Sequence, residues 1–132
     1  MTGERPSDVV RAYTQTFGRD GVDAAARLWD PEIEWRPLEA DEAHSIRGFD
    51  AMRSYYAEWV DTMDDLQGDV TEVAFEDDER AALQVRASGR GRASGAPVTA
   101  TYYVACLICD GRIVVAHEYG TRDEAVRAAQ SL

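Results

Sequence analysis

Residues 98–120 read Val98-Thr-Ala-Thr-Tyr-Tyr-Val-Ala-Cys-Leu-Ile-Cys109, then Asp110-Gly111, then Arg112-Ile-Val-Val-Ala-His-Glu-Tyr119-Gly120. Val, Ile, Thr and Tyr suit a pleated strand because their side chains are stiff at χ1 or broad and flat. Asp-Gly between two such runs signals a hairpin, since both residues tolerate a positive φ. The two arms are long and apolar on both faces. Each face must therefore be covered, one by helices and the other by more protein.

Upstream of this hairpin, Ser94-Gly95-Ala96-Pro97 turns the chain back into a strand over Ala81–Arg92. Leu83, Val85 and Ala87 face one way there; Gln84, Arg86, Ser88 and Arg90 face the other. The acidic run Glu76–Glu79 is a solvated turn, preceded by a strand over Val70–Glu76. Downstream, Arg122–Ser131 is a helix with Ala125, Val126 and Ala129 inward.

The first half of the chain is helical. Ser7 or Asp8 caps a helix with Val9, Val10, Tyr13 and Phe17 on one face, and Gly18 ends it. A short second helix carries Val22, Ala25, Leu28 and Trp29 and stops at Asp30-Pro31. Glu32–Arg36 alternates as a short strand closed by Pro37, and Leu38–Arg47 is an aperiodic loop. After Gly48, the residues Phe49, Met52, Tyr56, Trp59 and Met63 form an aromatic stripe at helical steps. Asp64 and Asp65 oppose the dipole at its C-terminus and predict fraying. The resulting order α-α-β-α-β-β-β-β-α predicts an α+β domain, with helices on one face of a curved antiparallel sheet and a ligand-sized hollow between the layers.

Composition narrows the function classes. A length of 132 residues predicts one domain over 1–132 with a real core. No apolar run is long enough for a transmembrane helix, and Thr2-Gly3-Glu4-Arg5-Pro6 is no signal core, so a cytoplasmic location is expected. The net charge of −11 argues against nucleic acid and anionic membrane as partners. Every basic residue among the 14 is Arg, which excludes Schiff-base chemistry on Lys. Cys106 and Cys109 point to opposite faces of a strand and read as core cysteines in a reducing compartment. A zinc site needs two further ligands, and only His44 and His117 are on offer without suitable spacing. No metal and no cofactor is expected.

Several stretches together resemble a known family. They are Val9-Val10 with Tyr13, Phe17 and Gly18; Leu28-Trp29-Asp30-Pro31-Glu32 with Glu34-Trp35-Arg36-Pro37; Arg47-Gly48; Asp110-Gly111-Arg112-Ile113-Val114 running to Glu118-Tyr119; and Arg122-Asp123-Glu124-Ala125. Their order and spacing resemble the nuclear transport factor 2-like superfamily, and within it the SnoaL-like (polyketide cyclase-like) group. The resemblance implies a cone-shaped α+β barrel (a curved, mostly antiparallel sheet wrapped around N-terminal helices) with a deep pocket for a hydrophobic small molecule. It also implies a homodimer through the outer face of the sheet. Members include cyclases, ketosteroid isomerase-like enzymes, epoxide hydrolases, scytalone-type dehydratases and binders without activity, and a fold does not choose among them.

The same resemblance suggests roles. Tyr13 stands where the similar isomerases carry an oxyanion-stabilising tyrosine; the plain alternative is a core tyrosine with its hydroxyl satisfied. The isomerases' carboxylate base has no counterpart in Trp35-Arg36-Pro37. Glu118 stands near the catalytic carboxylate of the similar epoxide hydrolases, with Arg86 as its charge partner, but Ser88 replaces the acid they need. A buried Glu118 needs a partner in any case. His117 alternates with Glu118, so if Glu118 faces the pocket His117 faces outward, toward a dimer contact. The resemblance favours Glu118 inward; the strand pattern taken alone favours Leu83 and Val85 toward the helices and Arg86 in solvent. Trp35, Tyr56 and Trp59 serve either as core or as a flat platform for a ligand, with Ser88 beside them. Of Tyr102 and Tyr103, Tyr103 is assigned to the pocket. His44 either lids the mouth or is a surface histidine, and Glu39, Asp41 and Glu42 read as a solvated loop. Two functions remain open: a cofactor-free cyclase or isomerase working by acid–base chemistry on a hydrophobic carbonyl compound, or a non-catalytic binding or accessory protein.

Overall fold

The computed structural model describes residues 4–38, 40 and 44–132; the acidic loop expected at Glu39, Asp41 and Glu42 lies outside them. The elements are α1 (Pro6–Asp20), α2 (Val22–Ala25) with a 3-10 turn (Ala26–Leu28), β1 (Trp29–Arg36), β2 (Ile46–Arg47), α3 (Gly48–Thr62), β3 (Met63–Glu76), β4 (Arg80–Gly91), β5 (Pro97–Cys109), β6 (Arg112–Tyr119) and α4 (Arg122–Gln130). Six strands form one sheet in the order β2-β1-β6-β5-β4-β3. It is mixed, because β1 runs parallel to β6 while the other neighbours are antiparallel. The α+β roll is therefore as expected, but the sheet is open: β2 and β3 are its two edges.

The β5–β6 hairpin sets the register. Asp110 has φ 54° and Gly111 φ 73°, the two successive positive values that a two-residue type I′ turn requires. From this turn Ile108 pairs with Ile113, and after a bulge Cys106 pairs with Ala116, Val104 with Glu118 and Tyr103 with Tyr119. Across β4–β5 the pairing runs without a break from Arg80↔Leu107 to Arg90↔Pro97.

On the inner face of the sheet, α1 and α3 bury a continuous core. It includes Val9, Tyr13, Trp29, Ile33, Trp35, Met52, Leu83, Val85, Val104 and Ile113. Expectation placed all helices on that face, but α4 lies on the other one. Its Ala125 and Ala129 pack on Ala82 and Ala105, a patch of small side chains that admits a helix closely. Outer-face Tyr103 and Tyr119 pack beside it.

Several expected boundaries move. Helix α1 starts at Pro6, where the missing N–H is harmless, and Asp8 caps from the third helical position by accepting from the Arg5 N–H at 3.1 Å. Ser7 is buried in the first turn, its N–H donating to Glu76 at 2.8 Å. The helix continues past Gly18 to Asp20; Gly18 instead allows close approach to β3, since a Cβ there would lie 3.2 Å from that of Gln67. Asp30-Pro31 does not precede the first strand but sits inside it, where the β1–β6 register shifts between Trp29 and Glu34. Residues Ile46 and Arg47 of the expected loop form the edge strand β2.

The largest difference follows α3. Asp64 and Asp65 do not fray a helix end, because β3 begins at Met63 directly after it. Both carboxylates pair across to β4 and the turn beyond it: Asp65 with Arg90 at 2.9 Å and Asp64 with Arg92 at 3.1 Å. With Asp65 at φ 54° and a register shift between Asp64 and Gln67, this start of β3 bends over the inner face.

Gly111→Ala should lower the unfolding free energy by about 1–2 kcal/mol, the cost of a Cβ in the left-handed region. The check is the urea midpoint at unchanged m-value; an unchanged midpoint would mean that the turn is not what holds the hairpin register.

Candidate functional site

A cavity of about 390 Å³ opens between α1, α3 and the bent half of the sheet. Its floor comes from β4, β5 and β6 through Val85, Ala87, Ala100, Tyr102 and Glu118. Helix α1 contributes Tyr13, Thr14 and Phe17, α3 contributes Tyr55, Tyr56 and Trp59, and Met63, Leu66, Gln67 and Gly68 close the side along β3. Pro37, Leu38 and Val98 stand around it as well, with Leu38, Trp59 and Val98 each about half exposed. A smaller hollow of about 40 Å³ lies deeper, against Val10, Trp35 and Val104.

Register explains which side chains reach the cavity. Val104 lies opposite both Leu83 and Glu118, so these three share the inner face. Two residues along, Val85 pairs with Tyr102 on the same face. Glu118 thus faces inward, as the resemblance implied. Its Oε2 accepts the Trp35 indole N–H at 2.8 Å, and its Oε1 accepts the Leu38 backbone N–H at 3.0 Å. Burial pushes the carboxyl above its ordinary value of 4.5, and these two donors oppose that rise.

Above the floor, Tyr13 donates its hydroxyl to that of Tyr56 at 2.9 Å. Burial raises both phenols well above 10, so both stay protonated. Tyr102 is raised in the same way by burial, and by the Glu118 charge after it. The rings form a packed aromatic set: Phe17 and Tyr56 lie 5.1 Å apart, Tyr55 and Tyr56 5.2 Å, and Tyr13 and Trp35 5.9 Å between centroids. The buried Trp29 Nε1 has no well-formed hydrogen bond.

Two site expectations are corrected. Arg86 does not meet Glu118. It shares its strand parity with Gln84, which lies opposite Tyr103, which lies opposite Tyr119; that row is the outer face, and Arg86 is exposed there. Tyr103 fails for the same reason, its hydroxyl accepting from Gln84 Nε2 at 2.9 Å on the outer face. Tyr102 takes the pocket position instead, and its pairing with the inward Val85 is the signal that identifies it. Tyr56, Trp59 and Ser88 do line the cavity, while buried Trp35 reaches it through Glu118. Phe17, Tyr55 and Leu38 are further lining residues that the sequence reading did not assign to it.

His117 faces outward beside β1, its Nε2 2.6 Å from Glu34 Oε2, and Arg47 holds the other oxygen of Glu34 at 3.0 Å. It therefore braces the β1–β6 pairing and does not share the cavity with Glu118. Cys106 is buried, its thiol pushed up to about 12 by desolvation, which leaves it inert as a nucleophile. Among the described residues no group of three or more His, Cys, Asp or Glu side chains could hold a metal ion. No helix among them is long and apolar enough to cross a membrane.

Comparison with known proteins agrees with this architecture. The model of the SnoaL-like domain matches residues 10–116. No curated protein matches the chain in sequence. Among solved structures, an NTF2-like protein of unknown function from Burkholderia pseudomallei K96243 superposes with a TM-score of 0.70 at 15% identity, covering 90% of this chain and 92% of that one. A protein with a ketosteroid isomerase-like fold from Catenulispora acidiphila DSM 44928, solved in complex with trimethylamine, gives 0.73 at 10% identity over 88% and 86%. A protein provisionally named a polyketide cyclase, from Xanthomonas campestris pv. campestris, gives 0.68 at 15% over 92% and 93%. At such identities these likenesses concern the fold.

Protonation of Glu118 should be visible through Trp35, which donates to it. A pH titration of intrinsic fluorescence should show a transition with its midpoint above 4.5, absent in Glu118→Gln. Because the folded-state pKa is raised, this group favours the fold most at low pH, and its contribution is lost as pH rises through that midpoint. A midpoint at or below 4.5 would show that burial does not dominate the carboxyl.

Proposed function

The chain belongs to the SnoaL-like domain family, and on that premise we propose that it performs cofactor-free acid–base chemistry on a hydrophobic carbonyl compound held in the cavity. One observation carries the reading: among the described lining residues a single carboxyl, Glu118, stands in a largely apolar, aromatic-lined hollow beside a pair of hydrogen-bonded phenols. A carboxyl whose pKa burial has raised is a better base when ionised and a better acid when neutral, near the pH at which it must do both. Glu118 takes a proton from the carbon next to the carbonyl and returns it, or delivers it elsewhere on the skeleton.

The phenols supply the second half. Tyr13 donates to the Tyr56 oxygen, which leaves the Tyr56 O–H available to a ligand oxygen. Negative charge developing on that oxygen is met by a donor already in place, and Tyr13 strengthens it. Tyr13 thus works through Tyr56 in this scheme. Arg86 has no part in it; the charge state of Glu118 follows from burial and from the Trp35 and Leu38 N–H groups.

A second reading has its own support. Both oxygens of Glu118 accept hydrogen bonds that fasten Trp35 and the chain after β1. A carboxyl so employed also suits a binding protein without turnover.

The discriminating measurement is deuterium exchange at carbons next to the carbonyl, followed by NMR in D2O over a panel of hydrophobic aromatic ketones. Wild type should exchange a bound ketone faster than buffer alone. Glu118→Gln should slow this by about 100-fold or more, and Tyr56→Phe by about 100-fold. Binding without any exchange would select the binding reading; exchange unaltered in Glu118→Gln would end the catalytic one.

A further inference from the structure

The charge inventory of the cavity is one-sided. Fourteen arginines occur in the chain, yet among the described lining residues none carries a positive charge, and Glu118 is the one acid. Six of the lining side chains are aromatic: Tyr13, Phe17, Tyr55, Tyr56, Trp59 and Tyr102. Their ring faces are electron-rich and attract a cation within about 6 Å of a ring centroid. Phenols that stay protonated add no charge of their own.

The hydrogen bonds of Glu118 favour its ionised form, while its burial opposes it. Trp35 and Leu38 aim one N–H at each oxygen, an arrangement that suits a carboxylate. Each oxygen keeps a further lone-pair direction for another partner. What burial withholds is a compensating positive charge, and the described lining residues supply none. An anionic ligand would meet Glu118 with nothing to offset the repulsion. A neutral apolar ligand would leave the carboxyl as it is.

We propose that the cavity takes an organic cation, an ammonium group on a compact apolar body, with the positive charge seated between Glu118 and the aromatic rings. This rests on the reading above that the cavity is the ligand site, and not on turnover. Binding has a balanced proton account: a neutral Glu118 gives its proton to solvent, and the resulting carboxylate pairs with the bound cation. Affinity for a cation of fixed charge therefore rises with pH up to the carboxyl's pKa in the free protein and is level above it. The slope below is about tenfold per pH unit, one proton released per ligand.

Equilibrium dialysis against phenyltrimethylammonium and its neutral isostere tert-butylbenzene, from pH 4 to pH 8, tests this. The cation should bind at least about tenfold more tightly than the isostere at pH 8, a preference in the range of a desolvated cation–aromatic contact with a paired charge. Its affinity should fall on acidification while that of the isostere stays level. Glu118→Gln should abolish both the preference and the pH dependence. Trp59→Leu, at a half-exposed position that does not threaten folding, should weaken the cation more than the isostere. Equal binding of the two probes, or a preference for the neutral one, overturns the proposal and leaves the cavity as a ligand site. If neither probe binds, both the proposal and the reading of the cavity fail.

Discussion

The pairing of Val104 with Glu118 across the β5–β6 hairpin is the constraint that orders the rest of the molecule. A pleated strand alternates its side chains, so fixing one pair fixes the faces along both strands as far as the bulge near the turn. The unbroken β4–β5 ladder carries the same assignment to Leu83 and Val85. One face then receives the branched and aromatic residues that α1 and α3 cover, and the other receives Ala82 and Ala105, over which α4 lies. A slip of one residue at Asp110-Gly111 would flip one strand against the other, putting either His117 in the place of Glu118 or Tyr103 in the place of Tyr102 inside the cavity.

Glu118 shows how a polar group is kept in such a wall. Its desolvation is offset in part by an indole N–H and a backbone N–H drawn from β1 and the segment after it. These bonds reach across 83 and 80 residues of sequence and tie the parallel strand β1 to the antiparallel half of the sheet. On the opposite face the Glu34 contacts with His117 and Arg47 do the same for β1, β6 and β2. The two sides of the β1–β6 pairing are thus held by carboxylates of different surroundings, one dry and facing aromatic rings, the other flanked by basic side chains.

Much of this was legible in the residues. The Asp-Gly turn, the stripe from Phe49 to Trp59 and the alanines of the last helix each specify a local structure on their own. Alternation within β4 already separated Arg86 from Leu83 and Val85. Missing was the relation between strands: whether Arg86 and Glu118 share a face depends on register, which no single strand encodes. Family resemblance joined them, and the Gln84–Tyr103–Tyr119 row separates them. Tyr102 and Tyr103 were exchanged for the same cause. The start of β3 was hidden because Asp64 and Asp65 look like poor helix-ending residues until Arg90 and Arg92 are brought opposite them. The family likeness itself, resting on motifs spread along the chain, agrees with the matched domain.

Strand β3 has one more property. It is the longest strand of the sheet and lies at an open edge, where unpaired N–H and C=O groups invite a foreign strand. Its ladder is broken by three register shifts, and Asp64, Asp65, Asp69, Glu72 and Glu76 are spaced along it. Four of these carboxylates are held by arginines (Asp64 by Arg92, Asp65 by Arg90, Glu72 by Arg122 and Glu76 by Arg5), so a second copy approaching edge to edge would meet a kinked template fringed with ion pairs. The bends that wrap this strand over the hollow therefore also make its edge a poor template for a foreign strand, a built-in guard against runaway sheet growth.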